Sequence, residues 1–388
     1  MRRLVFLASA MIFFDVAFFA AIAPLLPDYV DNLGLSKAQA GILSASYAAG
    51  TLVASLPAGF VASRVGPRRT TIAGLLLLGV SSLVFGLVDQ ILLLDVTRFI
   101  QGVSGALIWS GAMTWLITTA PDENRGSVIG TALGTAVAGA LLGPAIGALA
   151  ASVGTEPVFG SVLVISVGLA YGAARMPEGG APERQDLREV VETMLSRPIV
   201  EAAIFVTVPS VMFGAIEVLV PLRIDALGGG HGVIAAGFIA GAALEAVLAP
   251  LSGRLSDRVG RRLPYVVGLS ICAVAMLAIA AAMALGPVLG ALILTSLGAG
   301  LCFTPALTLL SDVADASRLH QGFAAGLSNM AWASGQVIGG IGGGGVASLT
   351  GNAVPSIGVA VLLFVTVAYA FHSLTPGPAP GTGGLRTG

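Results

Sequence analysis

The feature that most limits what this chain can fold into is a series of twelve apolar runs, each close to the ~20 residues a helix needs to cross the ~30 Å hydrocarbon layer of a bilayer. They fall at 4–26, 38–62, 70–88, 91–118, 126–150, 157–175, 199–222, 232–253, 264–284, 287–310, 321–346 and 353–374, numbered here as spans 1 to 12. Only 10% of the 388 side chains are charged and 56% are hydrophobic, with a mean hydropathy of +0.94. A water-soluble domain carries about 25% charged residues, so lipid is the expected solvent. Soluble enzymes, nucleic-acid binders and disordered chains are excluded on that ground. The balance of 19 basic against 20 acidic residues argues against a polyanionic partner, and the single lysine, Lys37, leaves no phosphate loop of the Gly-Lys-Ser/Thr kind. Cys272 and Cys302 lie in apolar runs without disulfide or metal spacing, so neither a metal nor an organic cofactor is expected.

The longest polar stretch, Met176 to Arg197, divides six spans from six. The expected organisation is a bundle at 1–175, a linker at 176–198, a second bundle at 199–375 and a tail at 376–388. The first apolar run continues past Met1-Arg2-Arg3 to Pro24 without a small-residue cleavage site, which reads as a retained span and not a leader. With twelve spans, sixteen of the nineteen basic residues share one side; Lys37 and Arg223 lie opposite and Arg98 lies within span 4. The positive-inside rule makes that side cytoplasmic, with both termini there and the chain in the cell (inner) membrane. A repeat at an offset of 194 residues pairs Gly59, Arg64, Gly66 and Arg68 with Gly253, Arg258, Gly260 and Arg262, and also Pro27 with Pro221, Asp31 with Asp225 and Gly34 with Gly228. Two parallel halves with a site near the midplane between them follow from such a repeat.

These residues carry a resemblance. Gly-x-x-x-Asp-Arg-x-Gly-Arg-Arg between spans 8 and 9, complete from Gly253 through Asp257 to Arg262, resembles the loop signature of the major facilitator superfamily; the copy between spans 2 and 3 has Ser63 in place of the acid. The resemblance implies an all-α membrane protein of twelve helices in two pseudo-symmetric six-helix bundles, with the loop arginines and acid forming a breakable charge latch. Arg98-Phe-Ile-Gln101-Gly102 resembles a span-4 motif linked in that family to proton handling, and Asp95 is a candidate helix-face partner for Arg98. Gly130, Gly139, Gly143, Pro144 and Gly147 fit the span-5 pattern typical of proton-coupled exporters, departing only at Ala148. Asp15 followed by Pro24 and Pro27, Glu217 followed by Pro221, and the Pro121–Gly126 stretch are similar to the vesicular monoamine transporter branch of the twelve-span drug:proton antiporters. The acids of that branch in spans 10 and 11 are absent, Asn329 being the polar residue of span 11, and Tyr47 stands near its span-2 lysine.

Carboxyl groups inside a span are costly and functional by default. Asp15, Glu217, Arg98, Asn329 and Glu245 are therefore the candidate substrate and proton residues, with Trp109, Trp115 and Trp332 as possible stacking partners for a cation. The glycine run Gly340 to Gly345 fits flexibility or close packing and not dinucleotide binding. The function expected is export of a small organic, cationic or lipophilic solute in exchange for protons, by a monomer in the bilayer with the proton as coupling ion and no nucleic acid. Uptake symport, a non-transporting sensor and a membrane-embedded enzyme are the alternatives, the last weakened by having only His231, His320 and His372 and no hydrolase motif.

Overall fold

The computed structural model describes residues 2–121, 125–178, 186–319 and 321–374, with side chains for all of these except 125–127, 187, 321 and 322. Outside the described residues lie Asp122 to Asn124 of the Pro121–Gly126 stretch, linker residues 179–185 including Glu183 and Arg184, His320, and the expected tail with Arg386. Span 1 is two helices, α1 (Arg2–Ala20) and α2 (Ile22–Leu33), where the sequence predicted one. Spans 2 to 6 are α3 (Lys37–Val65), α4 (Pro67–Leu87), α5 (Ile91–Thr119), α6 (Arg125–Val153) and α7 (Thr155–Ala174). A short helix, α8 (Leu187–Met194), leads into spans 7 to 12: α9 (Arg197–Ala226), α10 (His231–Val259), α11 (Arg262–Ala281), α12 (Leu285–Ala316), α13 (Gln321–Thr350) and α14 (Ala353–Ser373). Eleven of the described segments, α1 and α2 counted as one, are long and apolar enough to cross a membrane. The glycine-rich α13 is the twelfth pass; its 30 residues make about 45 Å of helix, laid between α3 and α9.

Local chemistry sets the ends of these elements. Ser36 and Gln39 close a capping box at the start of α3, the Ser36 hydroxyl accepting from the Gln39 amide and the Gln39 side chain accepting from the Ser36 amide. Gly66 (φ +102°) turns α3 into α4, and Gly260 (φ +83°), its mate in the repeat, turns α10 into α11. Both conformations are ones that residues with a Cβ rarely adopt, so the glycine spacing of the loop motif is a requirement of the turn.

Buried apolar residues form two main clusters, one within the first six spans (Leu25, Leu78, Trp115, Phe159) and one within the last six (Met212, Leu269, Cys302, Leu363). Between the halves, α3 lies along α13 and α6 meets α10. On the arginine-poor side, Lys37 Nζ donates to Asn352 Oδ1 at 2.6 Å and His231 reaches Pro24 and Asp28. Nearer the middle, Phe19 packs edge-on against Trp332 with ring centres 5.3 Å apart. Those contacts close the arginine-poor side.

Candidate functional site

Pro24 has no amide hydrogen to give the last turn of α1, and the chain breaks at Ala21. Arg98 reaches this break from α5, its guanidinium donating to the Phe18 and Phe19 carbonyls (3.4 and 3.3 Å) and to Gln101 Oε1 (2.9 Å), while Gln101 donates onward to Ser82 (3.2 Å). A cation at a helix C-terminus satisfies exposed carbonyls and opposes the negative end of the dipole. Asp95, expected as the partner of Arg98, is not: one of its carboxylate oxygens is buried without a hydrogen-bond partner among the described residues. Position i−3 put it on the same helix, but Arg98 extends across to α1 and toward Gln101, away from Asp95.

Asp15 sits one turn before Phe19 and is buried, with 4% of its surface exposed. The Tyr47 hydroxyl donates to Asp15 Oδ1 at 2.9 Å, the Arg98 guanidinium lies 5.2 Å from the centre of the Tyr47 ring, and Phe19 packs on that ring at 4.8 Å. A Cβ at Gly105 would stand 3.0 Å from both Asp15 carboxylate oxygens and strike the Tyr47 hydroxyl, so this position holds its space open by being glycine.

A cavity of about 130 Å³ lies between the halves, walled by Phe19, Ala23 and Pro144 from the first and by Phe213, Phe238 and Leu292 from the second, with Glu217, Glu245, Thr295 and Ser296 as its polar lining. Glu217 and Glu245 thus share one cavity. Asp15 does not line it; Phe19, which packs on Tyr47, does. Glu217 is spanned by long hydrogen bonds of 3.5 Å each, from Ser44 of α3 to Oε2 and from Gln336 of α13 to Oε1. Asn329 is absent from the cavity wall, lying two turns before Gln336 on α13, about 10 Å along the helix axis. Gln336 and Ser44 were not anticipated; a glutamine within a glycine-rich span was the available signal for the first, and nothing in the sequence marked the second.

The span-5 glycines have a defined partner. A Cβ at Gly139 would meet the Phe13 carbonyl, one at Gly143 the Ala17 carbonyl and Ala20, and one at Gly147 the Ala21 carbonyl and Pro24. They let α6 lie on the backbone of α1 up to the break, with Pro144 turned to the cavity. Gly130 faces open space and takes no part in this contact. Among the tryptophans, Trp115 is fully buried in the first core and Trp109 packs at its edge, which leaves Trp332 beside Phe19 as the one near the cavity.

In the first loop motif, Arg68 donates to the Met176 carbonyl (2.8 Å) and, with Arg69, pairs with Glu178 (3.4 and 3.3 Å), while Arg64 covers the Phe60 ring. In the second, Arg261 pairs with Asp312 and Arg262 covers the Phe371 ring at 4.6 Å. Arg68 and Arg262, mates in the repeat, each reach the end of the last span of their own half. The motif acid Asp257 makes no ion pair with a described residue. The acids that pair with the loop arginines are instead Glu178 and Asp312, which lie outside the motif.

The sequence profile of the Major Facilitator Superfamily matches residues 5–340 and, in a second overlapping match, 244–387. The chain is 31% identical over 165 residues to the MFS-type transporter ppzB of Metarhizium majus, covering 41% of this chain and 33% of that protein. It is 29% identical over 265 residues to the multidrug resistance protein MdtG of Escherichia coli, 64% of each, and 25% identical over 130 residues to the quinolone resistance protein NorA of Staphylococcus aureus, 34% of each. The chain therefore spans from a third to just under two thirds of the length of these curated relatives. The crystal structure of a D-xylose-proton symporter superposes with a TM-score of 0.76 over 96% of this chain and 97% of that one, at 14% identity, a likeness of fold alone. With a profile match running across both halves and the paired loop glycines seated on equivalent turns, this chain belongs to the major facilitator superfamily of membrane transporters.

Proposed function

We propose that the protein exports a small organic cation or lipophilic amine in exchange for protons by alternating access. The observation that carries this reading is the apolar, aromatic-walled cavity between the halves that holds Glu217 and Glu245 and no basic side chain. A carboxylate on such a wall is stable when a proton or a cation neutralises it. A solute cation and a proton then compete for the same negative charge, and linkage turns that competition into exchange. The order is solute binding from the arginine-rich side, reorientation, release on protonation, and return of the protonated carrier. Asp15, held by Tyr47 behind Phe19, serves as a second proton acceptor one turn from the cavity. Support also comes from the span-5 pattern and from relatives named for multidrug and quinolone resistance. The likeness to the monoamine branch rests on Asp15 with Pro24 and Pro27, on Glu217 with Pro221 and on the Pro121–Gly126 stretch. In this reading the arginine-rich side is cytoplasmic, the membrane is the inner membrane, the working unit is a monomer, and Arg98 holds the break while Asn329 enters the path as the halves part.

The test is pH-gradient-driven flux in proteoliposomes, using a panel of lipophilic cationic dyes and amines. The wild type should move at least one of them against its gradient, and Glu217→Gln should lower gradient-driven flux about tenfold while still allowing solute to equilibrate. A Glu217→Gln protein that still accumulates solute at the wild-type rate would sink the proposal.

A further inference from the structure

The first residue of α10 crosses from one half to the other on the arginine-poor side. His231 places Nδ1 2.9 Å from the Pro24 carbonyl oxygen and Nε2 3.2 Å from Asp28 Oδ1, both on α2. A carbonyl oxygen only accepts, so Nδ1 carries a hydrogen. In a neutral imidazole Nε2 then presents a lone pair, and a lone pair facing a carboxylate sets two acceptors against each other. The contact is attractive only when one more proton lies between the ring and the acid, either as imidazolium donating to carboxylate or as carboxylic acid donating to imidazole. Whichever partner holds it, closure takes up one proton.

The repeat gives this contact a counterpart. Lys37 precedes His231 by the same 194 residues; each is the first residue of its helix, and each reaches into the opposite half, Lys37 to Asn352 at the start of α14. One closure is built on a permanent cation and the other on a group that can lose its charge. Asp31 of α2 and Asp225 of α9 lie within electrostatic reach of Asp28. Arg223 of α9 is turned to the Ala282 carbonyl, and the facing ends of α6, α11 and α12 carry no charged side chain. Both α2 and α10 wall the central cavity, through Ile22 and Ala23 on one and Phe238 and Glu245 on the other.

We propose that His231 and Asp28 form a proton-operated latch: with one shared proton the pair holds the arginine-poor side shut, and loss of that proton frees α10 from α2. The inference rests on the fold and the contact geometry, and stands whatever solute is carried.

Spin labels at Asn32→Cys and Gly232→Cys flank the latch; both positions are exposed and a side chain at Gly232 meets open space, while the native Cys272 and Cys302 are buried and escape labelling. Inter-label distances are measured on the full chain in lipid from pH 5 to pH 9. The short-distance population should fall with rising pH, by about three- to five-fold for an ion pair that is a third exposed. His231→Leu, which offers neither acceptor a donor, should remove that dependence and leave the short population low throughout. Asp28→Asn should also remove it but leave the short population high, because an amide N–H can donate to the Nε2 of neutral imidazole. A wild type flat across this range, or either variant titrating as the wild type does, overturns the latch.

Discussion

The first span of each half occupies the same place in the repeat, yet one is broken and the other is not. α9 runs for 30 residues with Pro209 and Pro221 inside it, whereas α1 and α2 part at Ala21. Their packing is otherwise alike. Gly139, Gly143 and Gly147 of α6 approach Phe13, Ala17 and Ala21, and Gly335, Gly339 and Gly343 of α13 approach Thr207, Val211 and Ala215, the residues 194 positions further on. Two things differ: Pro24 at the break has Val218 at its equivalent, and the group that faces the break is Arg98 in the first half and Leu292 at the equivalent position in the second. Pro209 and Pro221 leave α9 unbroken, so a proline within a span does not by itself part it. Freed carbonyls in a membrane need a new donor, and only the first half supplies one with a charge.

Removing that donor is the sharpest way to break the comparison. Arg98→Leu gives the first half the second half's residue at this position, keeps Pro24, and leaves the Phe18 and Phe19 carbonyls without their donor. Truncating one partner of a buried charged hydrogen bond costs about 3 kcal/mol. Expected outcomes are a loss of that order in denaturant unfolding and a fall in solute flux of about a hundredfold. Wild-type flux from Arg98→Leu would show that the break needs no cation. Arg98→Lys should recover little, because a point charge cannot reach two carbonyls and Gln101 together.

The glycine stripes should respond equally. Gly143→Val and Gly339→Val each drive a side chain into a facing backbone, and overpacking of this kind costs about 1–3 kcal/mol. Thermal unfolding of the two variants should fall together. A large loss in one half and none in the other would mean that the second stripe is incidental.

That second stripe also shows where reading the chain stopped. The loop motif was legible because its glycines and arginines repeat at a constant 194 residues, and the turn at Gly66 and Gly260 imposes that spacing locally. The stripe on α13 follows α6 by 196 residues, a shift that falls among the residues joining spans 10 and 11, so the offset that revealed one motif concealed the other and the glycines of span 11 read only as flexibility or packing. Intramembrane acids were legible for a similar local reason, since each stands out against apolar neighbours. Their partners were not. The roles of Tyr47, Ser44 and Gln336 depend on how helices rotate against each other, and spacing along one helix carries no record of what faces it. Asp95 was credited to Arg98 on such spacing, and the structure gave that role to carbonyls 79 and 80 residues away.

Within the cavity, Glu245→Gln should weaken flux less than Glu217→Gln. Glu217 takes hydrogen bonds from both halves, so its neutralisation touches the contact between them as well as the charge offered to solute. Glu245 lies on the wall of the second half only. A roughly tenfold loss for Glu217→Gln against a few-fold loss for Glu245→Gln, a difference of about 1 kcal/mol, would match that asymmetry. The reverse order would place the principal charge on α10.

The smallest effect is expected from Tyr47→Phe, and it separates the acid of the broken span from those of the cavity. The substitution removes one neutral donor from Asp15 but keeps the ring on which Phe19 packs and over which Arg98 lies. A hydrogen bond to a charged acceptor contributes about 1.5–3 kcal/mol and one to a neutral acid less, so the loss falls mainly on the ionised form of Asp15. Ionisation of Asp15 is therefore disfavoured in the variant, and the pH dependence of solute flux should move to higher pH. Apparent affinity for the cationic dye, set at Glu217 and Glu245 beyond Phe19, should change by less than about twofold. A Tyr47→Phe protein whose dye affinity drops while its pH profile stays in place would put Asp15 in the solute site, and would erase the division between the broken span and the cavity on which the comparison depends.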